Sequence, residues 1–247
     1  MAQKNAGKDR LIHCITNPIS MNQCANAILA LGGRPIMAEH PDEVAEITAT
    51  ASALLLNLGN ISDVRMSSMK ISLKEANSRG IPVVLDAVGV SCSGLRRRFV
   101  RELLSEGKFF VIKGNYSEIL AIYDDTYKGI GVDAEEGLKD DLISRAVLNV
   151  AKDNDAIAVA TGEVDLISDG NSINKVTGGC KQMSAVTGTG CMLGTVIATK
   201  IAEERSEENV IKACRFFKRC GLKAKTDKGS GTYMVNLIDA IGERDDT

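Results

Sequence analysis

The residues best suited by type and spacing to do chemistry are Gly188, Gly190 and Cys191, in the run Val186-Thr187-Gly188-Thr189-Gly190-Cys191. An apolar stretch, Met192-Leu193-Gly194-Thr195-Val196-Ile197-Ala198, follows at once and reads as a helix. Glycine lets the chain turn sharply and approach a ligand closely. The first N–H groups of a helix have no partner inside it, and with the helix dipole they make a seat for an anion. Cys191 stands at the mouth of that seat. Such a seat suits phosphoryl transfer, because it would hold a phosphate or a developing negative charge. Taken alone, the same residues would equally shape a turn and bury a small apolar thiol. The elements around them have to decide.

Those elements alternate. Leu11 to Ile15 reads as a strand, and Thr16-Asn17-Pro18 as a turn. Ile19 to Leu31 carries apolar residues at helical spacing and stops at Gly32-Gly33. Pro35 to Ala38 is a short strand, and Pro41, Asp42 and Glu43 open a second helix. Ala53-Leu54-Leu55-Leu56-Asn57-Leu58 is the continuous apolar run of a strand buried on both faces. Helices over 61–78, 94–105, 117–123 and 135–153 alternate with strands over 81–86, 109–112 and 156–160. A hairpin over 164–173 turns at Asp169-Gly170-Asn171, and three helices follow Cys191. The stretch 177–183 fits an irregular loop or an edge strand. This order predicts an α/β fold of one domain, residues 1–247, with a mostly parallel central sheet and helices on both faces. Ligands of such sheets bind beyond the carboxyl ends of the strands.

Polar residues collect at those ends. Asn17, Asn57, Asp86, Lys113-Gly114-Asn115 and Thr161-Gly162-Glu163 each follow an apolar strand. Any one of them could be an ordinary cap or turn, but five on one rim suggest a site. Asp86 and Glu118 are hard oxygen ligands able to hold Mg²⁺ directly or through water. Lys113 and Thr161 are suited to nucleotide phosphates.

Bulk properties narrow the class. A net charge of −2 argues against a dedicated nucleic-acid binder. With 44% hydrophobic residues a disordered chain is excluded, and no apolar run is long enough to span a bilayer. Residues 1–10 lack the apolar centre of a signal peptide. The seven cysteines show no C-x-x-C spacing and suit a reducing compartment, so a cytoplasmic enzyme is expected.

In combination, several motifs carry a family resemblance. They are Ile15-Thr16-Asn17, Ala30-Leu31-Gly32 with Pro35-Ile36-Met37-Ala38, Leu56-Asn57-Leu58-Gly59, and Val84-Leu85-Asp86-Ala87-Val88-Gly89. Lys113-Gly114-Asn115-Tyr116-Ser117-Glu118-Ile119, Thr161-Gly162-Glu163-Val164-Asp165, the Val186 to Cys191 run and Asp227-Lys228-Gly229 complete the set. The sequence resembles the hydroxyethylthiazole kinases, the thiamine-salvage branch of the ribokinase-like kinases, from about Ile12 to Leu237. The resemblance implies that ATP, with Mg²⁺, phosphorylates the hydroxyethyl group of 4-methyl-5-(2-hydroxyethyl)thiazole. It implies a homotrimer with active sites at the subunit interfaces. It puts Asn17, Ile19, Met37 and Gly188 around the thiazole, and Lys113, Thr161 and Asn115 on the nucleotide. Asn115 and Glu118 match an Asn-x-x-Glu element that organises Mg²⁺ and phosphates, with Asp86 near the same metal. Cys191 takes the place of the superfamily's usual Asp base.

A thiol at a helix N-terminus ionises more readily, so Cys191 is a candidate to accept the hydroxyl proton. Its rival use, as a covalent nucleophile, lacks a paired histidine. His13, one of two histidines, reads as a packed strand residue. Departures from the family pattern are Ala87 for Pro, Lys113 for Arg and Ala185 for a basic residue, and 178–183 has no assigned role. Lys113 keeps the charge of Arg but loses its bidentate fork. A sister kinase acting on hydroxymethylpyrimidine would share fold and phosphate seat. A dinucleotide-binding protein is disfavoured because the third glycine of its fingerprint is missing and the run comes late in the chain.

Overall fold

The apolar runs form the centre of one eight-stranded sheet in the computed structural model, which describes residues 10–127 and 136–243. The strands are β1 (Leu11–Ile15), β2 (Arg34–Ile36), β3 (Ala53–Asn57), β4 (Val83–Asp86), β5 (Val111–Asn115), β6 (Ile157–Thr161), β7 (Asp165–Ser168) and β8 (Ile173–Val176). Their spatial order is β2-β1-β3-β4-β5-β6-β7-β8. The first six are parallel, and β7 and β8 run antiparallel at one edge. All five residues of β3 are buried, as a central parallel strand covered on both faces requires.

Alternation along the strands divides the core in two. One face carries Ile12, Leu55, Val84, Val111 and Val159 beneath α1 (Met21–Ala30), α7 (Thr189–Ile201), α8 (Glu207–Lys223) and α9 (Ser230–Gly242). The other carries Leu54, Leu56, Leu85, Ile112 and Ala158 beneath α3 (Asp63–Ser78), α4 (Gly94–Glu106), α5 (Tyr116–Tyr123) and α6 (Glu136–Asn154). A short α2 (Val44–Ala49) lies against α3. Serine side chains start three of the helices: Ser62, Ser93 and Ser206 each accept the N–H of the residue three further on. Helix α7 is buried almost all round, which explains its unbroken apolar sequence.

The expected α/β architecture and the 165–176 hairpin are present, but several boundaries move. Strands β3 and β4 are shorter than expected and end on Asn57 and Asp86, while β5 and β6 run on to include Lys113 to Asn115 and Thr161. These residues therefore end the strands and do not follow them, because the backbone ladder continues regardless of side-chain polarity. Helix α1 starts at Met21, leaving Ile19 in a turn that Asn17 closes by accepting the Ser20 N–H. Pro41 to Glu43 form a turn before α2, held by the His40 carbonyl. Helix α7 already includes Gly190 and Cys191. Of the 177–183 stretch, residues from Lys181 on join a 3₁₀ turn, Lys181–Ala185, and no strand forms there. Residues 1–9 and Glu135, both part of the sequence expectations, lie outside the described residues.

Candidate active site

Asn57, Asp86 and Lys113 lie side by side in one row of the sheet. Asn57 stands opposite Asp86 in the ladder, and Asp86 opposite Lys113. Each is two residues beyond a side chain of the α7-side core (Leu55, Val84, Val111), so all three point to that face. Thr161, two beyond Val159, shares it. Helix α7 lies over β1, β3 and β4 and aims its N-terminus at this row. The close approach depends on Gly194, where a Cβ would sit 3.3 Å from Leu55 Cδ1 and 3.5 Å from Asp86 Oδ2. Gly188 caps the helix at φ +95°, in the left-handed region that glycine alone enters at little cost.

A continuous chain of hydrogen bonds runs through the row. Lys113 Nζ donates to Asp86 Oδ1 at 2.8 Å, and Asn57 Nδ2 donates to Asp86 Oδ2 at 2.8 Å. Asn57 Oδ1 accepts from the Gly59 N–H at 2.9 Å and from Asn17 Nδ2 at 3.1 Å. Asn17 Nδ2 also donates to Cys191 Sγ at 3.3 Å, while Asn17 Oδ1 accepts the Ser20 N–H at 3.0 Å. The polarity of this chain is fixed at both ends. An ionised carboxylate only accepts, so the Asn57 amide group must face Asp86, and backbone donors hold both amide oxygens. Asn17 is thereby obliged to present N–H to the sulfur.

Charge and burial act against each other here. Asp86 is fully buried, which raises its pKa, while the Lys113 ammonium and the Asn57 amide pull it back. Burial also penalises the Lys113 ammonium, 3% exposed, but Asp86 more than offsets this, and Cys191 and Glu118 add to it, so its pKa is raised. Glu118 is raised by burial against two N–H bonds. Its Oε1 accepts from Gly89 N at 2.8 Å and its Oε2 from Asn115 N at 2.7 Å, while Asn115 Oδ1 accepts the Glu118 N–H at 2.9 Å. Asn115 and Glu118 are therefore a reciprocal cap at the start of α5. Cys24, beside the row, has its thiol pushed up to about 12, chiefly by burial. Burial likewise raises Cys14 and Cys214, so these three are packing residues.

The structure thus brings Asn17, Cys191, Gly190, Asp86 and Lys113 together, with a Cβ at Gly190 falling 4.0 Å from Lys113 Nζ. Thr161 shares their face of the sheet at the end of β6, and its hydroxyl donates to the Gly114 carbonyl at 3.3 Å. Met37 is half-buried just beyond β2, against the α7-side core. Ile19 is 62% exposed, a large apolar side chain two residues from Asn17. Asp86 and Glu118 each have both oxygens engaged by protein donors. No group of three or more His, Cys, Asp or Glu side chains able to hold a metal ion occurs among the described residues. Asn57, counted among the strand-end residues but given no role there, is the link between Asn17 and Asp86. Ser20, whose N–H orients Asn17, had no signal of its own.

The sequence model of the Hydroxyethylthiazole kinase family matches residues 3–244. The chain belongs to this family. Hydroxyethylthiazole kinase 2 of Clostridium botulinum strain 657 is 44% identical over 241 residues, covering 95% of this chain and 90% of that one. The structure of a hydroxyethylthiazole kinase protein from Pyrococcus horikoshii OT3 matches with a TM-score of 0.85 at 33% identity, over 94% of this chain and 87% of that one. Pyridoxal kinase of Bacillus subtilis, 13% identical with a TM-score of 0.67 over 89% of this chain and 94% of that one, shares the fold. The expected ribokinase-like fold is therefore present in a member of the hydroxyethylthiazole kinase family. In this member Lys113 forms the ion pair with Asp86, and Asn17 contacts Cys191.

Proposed function

We propose that this protein transfers the terminal phosphoryl group of ATP to the hydroxyl of 4-methyl-5-(2-hydroxyethyl)thiazole, giving the thiazole phosphate used in thiamine salvage. The observation that carries this reading is the α7 N-terminus, opened by Gly188 and aimed with Cys191 at the buried Lys113–Asp86 pair. The acceptor hydroxyl oxygen attacks the γ-phosphorus, the bond to the β–γ bridging oxygen breaks, and ADP leaves. The hydroxyl proton passes to Cys191 Sγ in its thiolate form. N–H groups from Gly188 to Cys191 hold the transferring oxygens as charge develops.

Asn17, Ile19, Met37 and Gly188 form the thiazole side of this reading, and Lys113, Thr161 and Asn115 the nucleotide side. Mg²⁺ would enter with the nucleotide and offset phosphate charge. A site with few free carboxylate oxygens fits an ion that keeps its waters and is held largely by substrate phosphates, with Glu118 and Asp86 reached through water. We place one kinase domain over residues 1–247, in the cytoplasm, where seven free thiols are stable. A homotrimer with the site at the interface would cover Ile19, whose exposure supports it. No helix among the described residues is long and apolar enough to cross a membrane. The test is ADP release with MgATP and the thiazole alcohol, hydroxymethylpyrimidine or no acceptor. Release dependent on the thiazole alcohol is expected. Release with the pyrimidine alone would move the protein to the sister activity, and a sedimentation mass of one subunit would remove the trimer.

A further inference from the structure

Helix α8 presents an apolar stripe to the core: Val210, Cys214, Phe217 and Gly221, with Ile211 beside it. Lys218 falls on that stripe, seven residues from Ile211 and four from Cys214, and is 6% exposed. A lysine there has to find partners for its ammonium group, because an unpaired buried charge is strongly destabilising. Lys218 Nζ donates to the Gly162 carbonyl at 3.0 Å and the Glu163 carbonyl at 2.9 Å. It also stands 3.2 Å from Asp165 Oδ1. An ammonium has three donors, and these three acceptors use them all.

Two of the acceptors belong to the turn that follows Thr161, and the third, Asp165, opens β7 at the end of that turn. Asp165 Oδ1 closes the turn by accepting the Gly162 N–H at 3.0 Å, and Tyr116 of α5 donates its hydroxyl to the Val164 carbonyl. The turn is thus held from α8, from α5 and from within. The stem of Lys218 meanwhile runs beneath the segment that the sequence left unassigned. A Cβ at Gly178 would lie 3.6 Å from Lys218 Cβ, and one at Gly179 would lie 3.7 Å from Lys218 Cγ. Met183 seats its sulfur against Gly221, one turn further along α8, where any side chain would collide with it. The next residues lead directly to Gly188: Thr189 donates its hydroxyl to the Met183 carbonyl at 2.8 Å.

We propose that Lys218 is a positioning residue for nucleotide binding. It fixes the Gly162–Glu163 turn on which Thr161 stands, and it ties that turn through the 178–183 segment to the loop entering the phosphate seat. This rests on the reading of Thr161 as a nucleotide-side residue. Lys218 itself touches no reacting atom, so it should act on the nucleotide and leave the acceptor pocket alone.

The experiment compares Lys218→Met, which keeps the stem, and Lys218→Arg, which keeps the charge, with the unaltered protein. KM is measured separately for MgATP and for the thiazole alcohol. For Lys218→Met, KM for MgATP should rise roughly tenfold or more while KM for the alcohol stays within about twofold, and Lys218→Arg should recover part of the loss. If Lys218→Met does not fold, the Asp165→Asn/Lys218→Met pair, which leaves no lone buried charge, carries the same expectation. Equal changes in both KM values, or none in either, would overturn the proposal. An unaltered protein that is inactive with the thiazole alcohol would instead overturn the kinase reading on which it rests.

Discussion

Replacing Lys113 by Met leaves Asp86 fully buried with the Asn57 amide but without the ammonium now 2.8 Å away. At an effective dielectric of about 20, two unit charges at that separation attract by about 6 kcal/mol. Desolvating both ions offsets most of this, so the pair as a whole contributes little net stability. Removing one member is different, because the carboxylate keeps its desolvation penalty without its partner. The expected loss is about 3–5 kcal/mol, a large part of an ordinary domain's stability. Asp86 can limit the loss by taking a proton, so the destabilisation should be larger at alkaline than at mildly acidic pH. Urea unfolding of Lys113→Met, Asp86→Asn and the double variant provides the assay. The double variant should recover much of the stability, giving a coupling of about 2 kcal/mol or more. It should not recover phosphoryl transfer, since the positive charge proposed to face the phosphates is gone. A loss below about 1 kcal/mol for Lys113→Met, with additive effects in the double variant, would refute a buried and energetically coupled pair.

Three further outcomes follow from the same geometry. Cys191→Ala should lower kcat about 10²–10⁴-fold with a smaller change in KM, and near-full turnover would remove Cys191 as the base. Gly188→Ala forces a side chain into φ +95° with its Cβ 3.1 Å from Ser20 Cβ. It should lose about 1–3 kcal/mol of stability in urea unfolding, together with most of the turnover. His13 accepts from Thr48 at 2.8 Å and donates to the Ala38 carbonyl at 2.9 Å as a neutral ring, and burial lowers its pKa. The unfolded chain therefore binds a proton first as pH falls. The His13 contribution is complete above about pH 6.5 and is lost below it, by at most about 1.4 kcal/mol per pH unit. The raised carboxyls of Asp86, Glu118 and Asp165 act in the opposite sense, so the His13 part is the difference in slope between the protein and His13→Gln. Equal slopes would remove it.

Much of the fold could be read in advance because buried parallel strands spell themselves out as continuous apolar runs, and Ala53 to Leu56 is the clearest. The strand ends were harder. Lys113, Gly114 and Asn115 look like a loop by composition, yet the ladder to β6 carries them as strand, since pairing is made by the backbone. The rim of polar residues was visible one by one. Its connectivity was not, because Asn57 and Asp86 are 29 residues apart and meet only through register. Lys218 left a mark that could have been used: a lysine on the apolar stripe of α8 has to have a partner, though nothing local says that it is the Gly162 turn. Ile19 lies exposed in the turn before α1, outside the helix that its apolar spacing suggested.

The most direct measurement is phosphorus NMR of the protein incubated with MgATP and the thiazole alcohol. A new phosphomonoester signal, coupled to the neighbouring methylene protons and growing in step with ADP, is expected. It should be absent from the Cys191→Ala reaction over the same interval. ADP accompanied by inorganic phosphate alone, or a phosphomonoester formed only when hydroxymethylpyrimidine replaces the thiazole, would contradict the assignment of this site to the thiazole alcohol.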